Sequence, residues 1–331
     1  MLLSSAFAAL LTLTSTLSLA SPATPDQSPT HSKKPNIVFN IVDDQDARQN
    51  SIGTMQRLQR LLAEEGTVFD KFYAPISVCC PSRTSFLRAQ CAHNANITSV
   101  MPPFGGWAVS AKRAATDTTS LPLCKTLGTE RTILANSSRA SFNPDVPSGA
   151  SWVRQLQKLN QTNVEYIEEF YRGRLQSLQA VDDLVEGVVK KLEELGVLDE
   201  TIVIYTATHS LTIVPVLAAI MVSKRTLVIV DEEDINVPLV VRGPGVPAGL
   251  VDCYSVYSLS DLGATILHLA GATSDFDHDG SIVPLTKGLR KQVDKEGGSK
   301  QFHLAEYWVE GVGEGGITHV NQTYRAITVV E

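Results

Sequence analysis

The chain has 331 residues, with 28 Lys plus Arg against 35 Asp plus Glu and a formal net charge of −7. That balance, with no dense basic run, excludes a general nucleic-acid binder that tracks phosphates. The apolar share of 43% is enough for a sizeable core, and the length suits one large α/β domain or two smaller ones.

Residues 1–20 read as a secretory signal peptide. Their Leu- and Ala-rich run ends in Ser18-Leu19-Ala20, a small-x-small cleavage pattern. The alternative is a membrane anchor. The Ser and Thr content, and the polar Pro-rich linker 21–34 that follows, favour cleavage and a secreted, extracellular protein. The sequons at Asn96, Asn136, Asn160 and Asn321 fit glycosylation of an exported chain. The 5 cysteines are odd in number, so at least one stays outside any disulfide, and the adjacent Cys79 and Cys80 are the natural candidates. No CxxC or His/Cys spacing suggests a zinc site.

Residues 35–44 (PNIVFNIVDD) form a near-continuous apolar run, the pattern of a parallel strand buried on both faces. Asp43 and Asp44 close it at the sheet edge where α/β folds bind ligands. Two adjacent carboxylates read equally as a hard-cation site for Ca2+ or Mg2+ and as a solvated turn or helix cap. Residues 51–66 predict a helix with Met55, Leu58, Leu61 and Leu62 on one face and Gly66 as its stop. Residues 67–73 return as a strand. Cys79 and Cys80 then stand just before a helix opened by Pro81, where the dipole favours anions and thiolates, and Arg83 adds a fork of donors one turn on. The order strand, helix, strand, reactive loop is that of a wound α/β sheet. A cysteine-dependent phosphatase is excluded by spacing, because its Arg would stand six positions beyond the cysteine and Phe86 occupies that place after Cys80.

Here the residues carry a resemblance. KPNIVFNIVDDQD at 34–46, Cys79-Cys80-Pro81-Ser82-Arg83 and Arg88-Ala89-Gln90 resemble the type I sulfatases of the alkaline phosphatase superfamily, above all secreted arylsulfatases and N-acetylglucosamine-6-sulfatases. The resemblance implies a mixed, mostly parallel central sheet flanked by helices, with a short C-terminal α+β remnant. It implies that Cys79 becomes formylglycine through a formylglycine-generating enzyme during export. It also implies that Arg83 is catalytic, that Asp43, Asp44 and Cys79 lie about a Ca2+, and that the substrate is an aryl or sugar sulfate ester. A geminal diol can attack sulfur with one hydroxyl and expel sulfate with the other.

The resemblance breaks at 108–141 and resumes at Phe142-Asn143-Pro144-Asp145. A stripe from Ile167 through Leu175, Leu178 and Val185 to Leu195 predicts a long amphipathic helix ended by Gly196, and Thr201–Thr206 a buried strand. At its end the family pattern has Asp-Asn-Gly, whereas this chain has Thr208 and His209, poor partners for a hard cation. His209 is expected to be an exposed loop histidine. The divergent stretch 207–230 contains an apolar run, 211–222, too short for a membrane span. Residues 237–241 predict a strand, and 260–271 a helix with Ser260 as N-cap. The expected organisation is a signal peptide, a linker, a sulfatase-like domain over 35–290 and a partial C-terminal region over 291–331. The expected function is sulfate-ester hydrolysis. The alternative is an inactive sulfatase-like protein that binds sulfated glycans.

Overall fold

The computed structural model describes residues 34–100, 102–106, 109, 158–210, 235–272, 277–298, 300–312 and 318–329. The signal-peptide and linker expectations, Asn136, Cys124 and the apolar run at 211–222 lie outside them. In chain order the elements are β1 (Asn36–Val42), α1 (Gln56–Leu58, continued as a π turn over Gln59–Ala63), β2 (Thr67–Phe69), β3 (Phe72–Tyr73) and α2 (Cys79–Arg88). After these come α3 (Ala92–Ala95), α4 (Gln161–Glu194), β4 (Thr201–Ala207), β5 (Leu239–Arg242), β6 (Leu250–Asp252) and β7 (Tyr257–Ser258). The last are α5 (Leu259–Ala270), α6 (Lys287–Lys295), β8 (Phe302–Val312) and β9 (Thr318–Val329).

The main sheet has the order β1-β4-β5-β2-β6, with β1–β4 and β2–β6 parallel and the two β5 pairings antiparallel. Alternation along β4 sends Ile202 and Ile204 to one face and Val203 and Tyr205 to the other. The first face packs on α5 and α6 through Leu259, Leu262 and Leu289. The second packs on α1 and α4 through Met55, Leu58, Leu62, Leu175 and Val185. The result is three layers, helices on both faces of a mixed sheet, as the resemblance implied.

Several local expectations needed correction. β4 is buried at every position, but β1 is only half-buried, because among the described strands it pairs with β4 alone. The helix expected over 51–66 is broken into a 3-10 turn, α1 and a π turn. Its amides at Arg57 and Leu58 bond the Asp182 carboxylate of α4, at 3.0 and 2.8 Å. α5 begins one residue earlier than expected, capped by Ser258 in a reciprocal box with Asp261. α4 is the expected long amphipathic helix ended by Gly196 at φ +66°, but it starts six residues before Ile167, at Gln161, where Asn160 caps it through the Asn163 amide at 2.9 Å. The C-terminal region pairs β8 with β9 as a long antiparallel ribbon. Asn96 and Asn160 are exposed, while Asn321 lies within β9.

His303 on β8 is buried against Tyr73, with ring centroids 5.3 Å apart. Burial, helped by the charge of Lys300, pushes its pKa down to about 3. The folded state holds it neutral, while the unfolded chain takes up a proton below about pH 6.5. This residue therefore stabilises the fold above that pH, and its contribution is lost by about 1.4 kcal/mol per unit as pH falls toward 3. His303→Phe is expected to flatten the acid limb of stability, read as urea midpoints at about pH 7 and about pH 5. An unchanged limb would place the acid sensitivity elsewhere.

Candidate functional site

The site gathers at the C-terminal ends of β1 and β4 and the first turn of α2. The parallel register sets Val42 beside Ala207, so Asp43–Asp44 and Thr208–His209 leave the sheet side by side, and the Thr208 amide still bonds the Val42 carbonyl at 3.0 Å. Cys79 and Cys80 are the first two residues of α2 rather than preceding it; the N-cap is Val78 and Pro81 is third. Two contacts fix that helix. Phe86 stacks on Phe39 of β1 at 4.5 Å, and the Ser82 hydroxyl donates to the Thr208 carbonyl. Gly263 of α5 lets α2 approach closely, since a Cβ there would lie 2.1 Å from the Phe86 carbonyl oxygen.

Asp43 is the centre of the cluster. Its Oδ2 accepts from Arg83 Nη2 at 2.5 Å and its Oδ1 from the Thr208 hydroxyl at 2.5 Å. Burial pushes the Asp43 carboxyl up, but Thr208, His209 and Arg83 together outweigh it and hold the pKa below the usual carboxylate value. Burial likewise works against charge on Arg83, and Asp43 overrides it.

His209 is the largest departure from expectation. It is 1% exposed, not a solvated loop residue. Its Nδ1 lies 3.0 Å from Thr208 Oγ1 and 3.5 Å from Asp43 Oδ1; its Nε2 lies 3.0 Å from Asp44 Oδ1 and 3.6 Å from Cys79 Sγ. Asp43, Cys79 and His209 each offer one ligand atom within 4.8 Å of the others.

Sequence reading missed Arg174 of α4. Its Nη2 donates to the Asp44 carbonyl at 2.8 Å and pairs with buried Asp46 at 2.6 Å. That carbonyl contact holds Asp44 at φ +56°, a left-handed conformation unusual outside glycine. The only advance signal was a cationic residue on the helix stripe. A pocket of about 460 Å³ opens over Asp43, Asp44, Phe170 and Arg174.

None of Cys79, Cys80, Cys91 and Cys253 is in a disulfide. Burial, with Asp279 and Glu306 nearby, pushes the Cys91 thiol up to about 12, which makes it inert. The Cys79 pair thus sits at the site and Cys91 away from it.

The layers and the strand-end cluster define an α/β protein with a sulfatase- and alkaline-phosphatase-like fold. Among solved structures it is similar to a protein in complex with its substrate D-glucosamine-2-N,6-O-disulfate, at TM-score 0.58 and 15% identity, covering 90% of this chain and 87% of that one. It is also similar to a phosphonate monoester hydrolase of Agrobacterium radiobacter, at TM-score 0.55 and 13% identity, covering 85% and 82%. The sulfatase family model matches residues 35–124 and 129–272, and the chain belongs to that family. Curated relatives include an arylsulfatase of Chlamydomonas reinhardtii, 28% identical over 73% of this chain and 56% of its own length. Sulfatase ppz1 of Metarhizium majus is 40% identical over 46% of this chain and 35% of its own length. Human N-acetylglucosamine-6-sulfatase is 24% identical over 77% and 65%. This chain thus spans about half the length of the arylsulfatase and less of ppz1.

Proposed function

We propose that the chain hydrolyses sulfate esters of aryl compounds or sugars at the cluster of Asp43, Cys79, Arg83 and His209. The observation that carries this reading is the convergence of Cys79 and Arg83, from one helix, upon Asp43 from the neighbouring strand, all within the segment matched to the family. The relatives' names support sulfate esters as the substrate class.

Cys79 fits a formylglycine precursor: it is half-buried at the mouth of the site, on the first turn of a 10-residue helix whose dipole favours anionic groups. A formylglycine there supplies a hydrated aldehyde whose hydroxyl is a nucleophile toward sulfur. Arg83 is placed to offset charge on sulfuryl oxygens. His209 Nε2 can hold a proton beside the Cys79 side chain, and the Thr208 hydroxyl orients the ring. Export is part of the same reading, since conversion of Cys79 by a formylglycine-generating enzyme requires it. It is supported by residues 1–20 and by the likeness to an extracellular sulfatase homologue of Drosophila melanogaster. Among the described residues no helix is long and apolar enough to cross a membrane.

The metal is harder to place. Ca2+ takes about six to eight oxygen ligands. Among the described residues the hard oxygens of the cluster are the carboxylates of Asp43 and Asp44 and the Thr208 hydroxyl, fewer than that number. The remaining donors are the Cys79 side chain, a thiol until it is converted, and the His209 imidazole. This set does not fit Ca2+, and no step runs through it.

The purified chain is expected to turn over 4-nitrocatechol sulfate slowly beside an intact relative. Cys79→Ala is expected to lower that rate at least about a thousandfold, with an aldehyde mass on the wild-type Cys79 peptide. A plain thiol at Cys79 together with no turnover would overturn the reading.

A further inference from the structure

We propose that Asp43, Cys79 and His209, in chains whose Cys79 remains a thiol, form a binding site for a borderline divalent metal of the zinc type.

The donor set is the first argument. A carboxylate, a thiol and an imidazole converge with one ligand atom each within 4.8 Å. Thiolate and imidazole select zinc-like ions, whereas calcium takes oxygen alone. Distance is the second. Zinc–sulfur and zinc–nitrogen bonds of about 2.3 and 2.0 Å at tetrahedral angles leave the two ligand atoms roughly 3.5 Å apart. Cys79 Sγ and His209 Nε2 are 3.6 Å apart.

The surroundings of His209 agree. The Thr208 hydroxyl donates to Asp43 Oδ1, so its lone pair is left to accept from Nδ1–H. That leaves Nε2 turned toward the sulfur and the Asp44 carboxylate, where a metal would displace any proton it carries, and gives the ring the outer hydrogen bond that ligating histidines need. The ring is 1% exposed and so already fixed in place. Asp44 Oδ1 lies 3.0 Å from the same Nε2, is itself buried and has no aligned hydrogen bond. It is the nearest further oxygen on that side. A pocket reaches the cluster at the Asp43 and Asp44 carboxylates. No local spacing betrayed the site because its ligands come from β1, α2 and β4, up to 166 positions apart.

This inference goes beyond the sulfatase reading. Conversion of Cys79 removes the sulfur ligand, so one residue serves either state, and mass spectrometry of the Cys79 peptide tells them apart. The test uses the full chain with Cys79 shown to be a thiol, titrated with Co2+ as an optical stand-in and then with Zn2+. The expected result is a near-ultraviolet thiolate-to-cobalt band that saturates at one equivalent and is removed by Zn2+. Cys79→Ser should abolish the band, His209→Gln should weaken binding at least about tenfold, and Cys80→Ser should leave both unchanged. Thermal melting of the metal-free variants confirms that they fold. Absence of the band in the thiol chain, or a band that survives Cys79→Ser and disappears with Cys80→Ser, overturns the proposal. Sulfate-ester turnover plays no part in this readout.

Discussion

The double exchange Thr208→Asp with His209→Asn is expected to raise Ca2+ affinity by about a hundredfold over a weakly binding parent. The pair stands where the sulfatase resemblance has an acid and an amide. It follows β4 immediately and lies against Asp43 and Asp44. The exchange replaces a neutral hydroxyl with a carboxylate and an imidazole with an amide oxygen, which adds one negative charge, a quantity that tunes calcium affinity. It also removes the Thr208 hydrogen bond that occupies Asp43 Oδ1. Without metal the variant is expected to be less stable than the parent, because a further carboxylate is set beside two others in a buried position. Calorimetric titration, with thermal melting in chelator and in excess Ca2+, checks both halves. Tight Ca2+ binding by the parent, or no gain in the variant, would mean that Thr208 and His209 do not face the metal position.

The largest stability effect is expected at Asp182. Asp182→Ala should cost about 3–4 kcal/mol, seen as a lower urea midpoint with an unchanged slope. Its side chain is fully buried between α4 and the sheet. It accepts from the amides of Arg57 and Leu58 and lies 3.5 Å from the Arg57 guanidinium. Truncation strands two amides and part of a cation in an apolar layer with Leu58, Leu178 and Val185. Asp183→Ala is the control. That carboxylate pairs with the same Arg57 at 2.8 Å but is 36% exposed, so its loss should cost under about 1 kcal/mol. Equal effects would mean that the guanidinium rather than the amides makes Asp182 matter.

The elements read well from sequence are those whose own periodicity decides their burial. β4 is buried at every position, carries a near-continuous apolar run from Ile202 to Tyr205 and sits between two helical layers. The α4 stripe reads correctly at Ile167, Leu175, Leu178 and Val185, though Leu195 at its end is 61% exposed. The Cys-Cys-Pro-Ser-Arg stretch was legible as a helix start with an Arg one turn on, because those signals are local, though the helix opens at Cys79 rather than Pro81. Failures came where a remote partner decides. The break at 51–66 reflects a carboxylate more than a hundred positions away. The cap of α5 was misread because Ser258 and Ser260 are both good caps, and only Asp261, three residues after Ser258, selects the first. Above all, His209 was assigned to solvent because no base partner lies near it in sequence. Its partners are Asp43, Asp44 and Cys79, brought to it by the pairing of β1 with β4 and the seating of α2.

That pairing has an evolutionary consequence. Residues 202–207 answer to the core, whereas the side chains of the two that follow face what the strand ends hold. A lineage can therefore redirect the ion preference of this centre with a couple of codon changes, at a cost in stability that the bound ion offsets. Inheritance of the scaffold and inheritance of the chemistry are separable here.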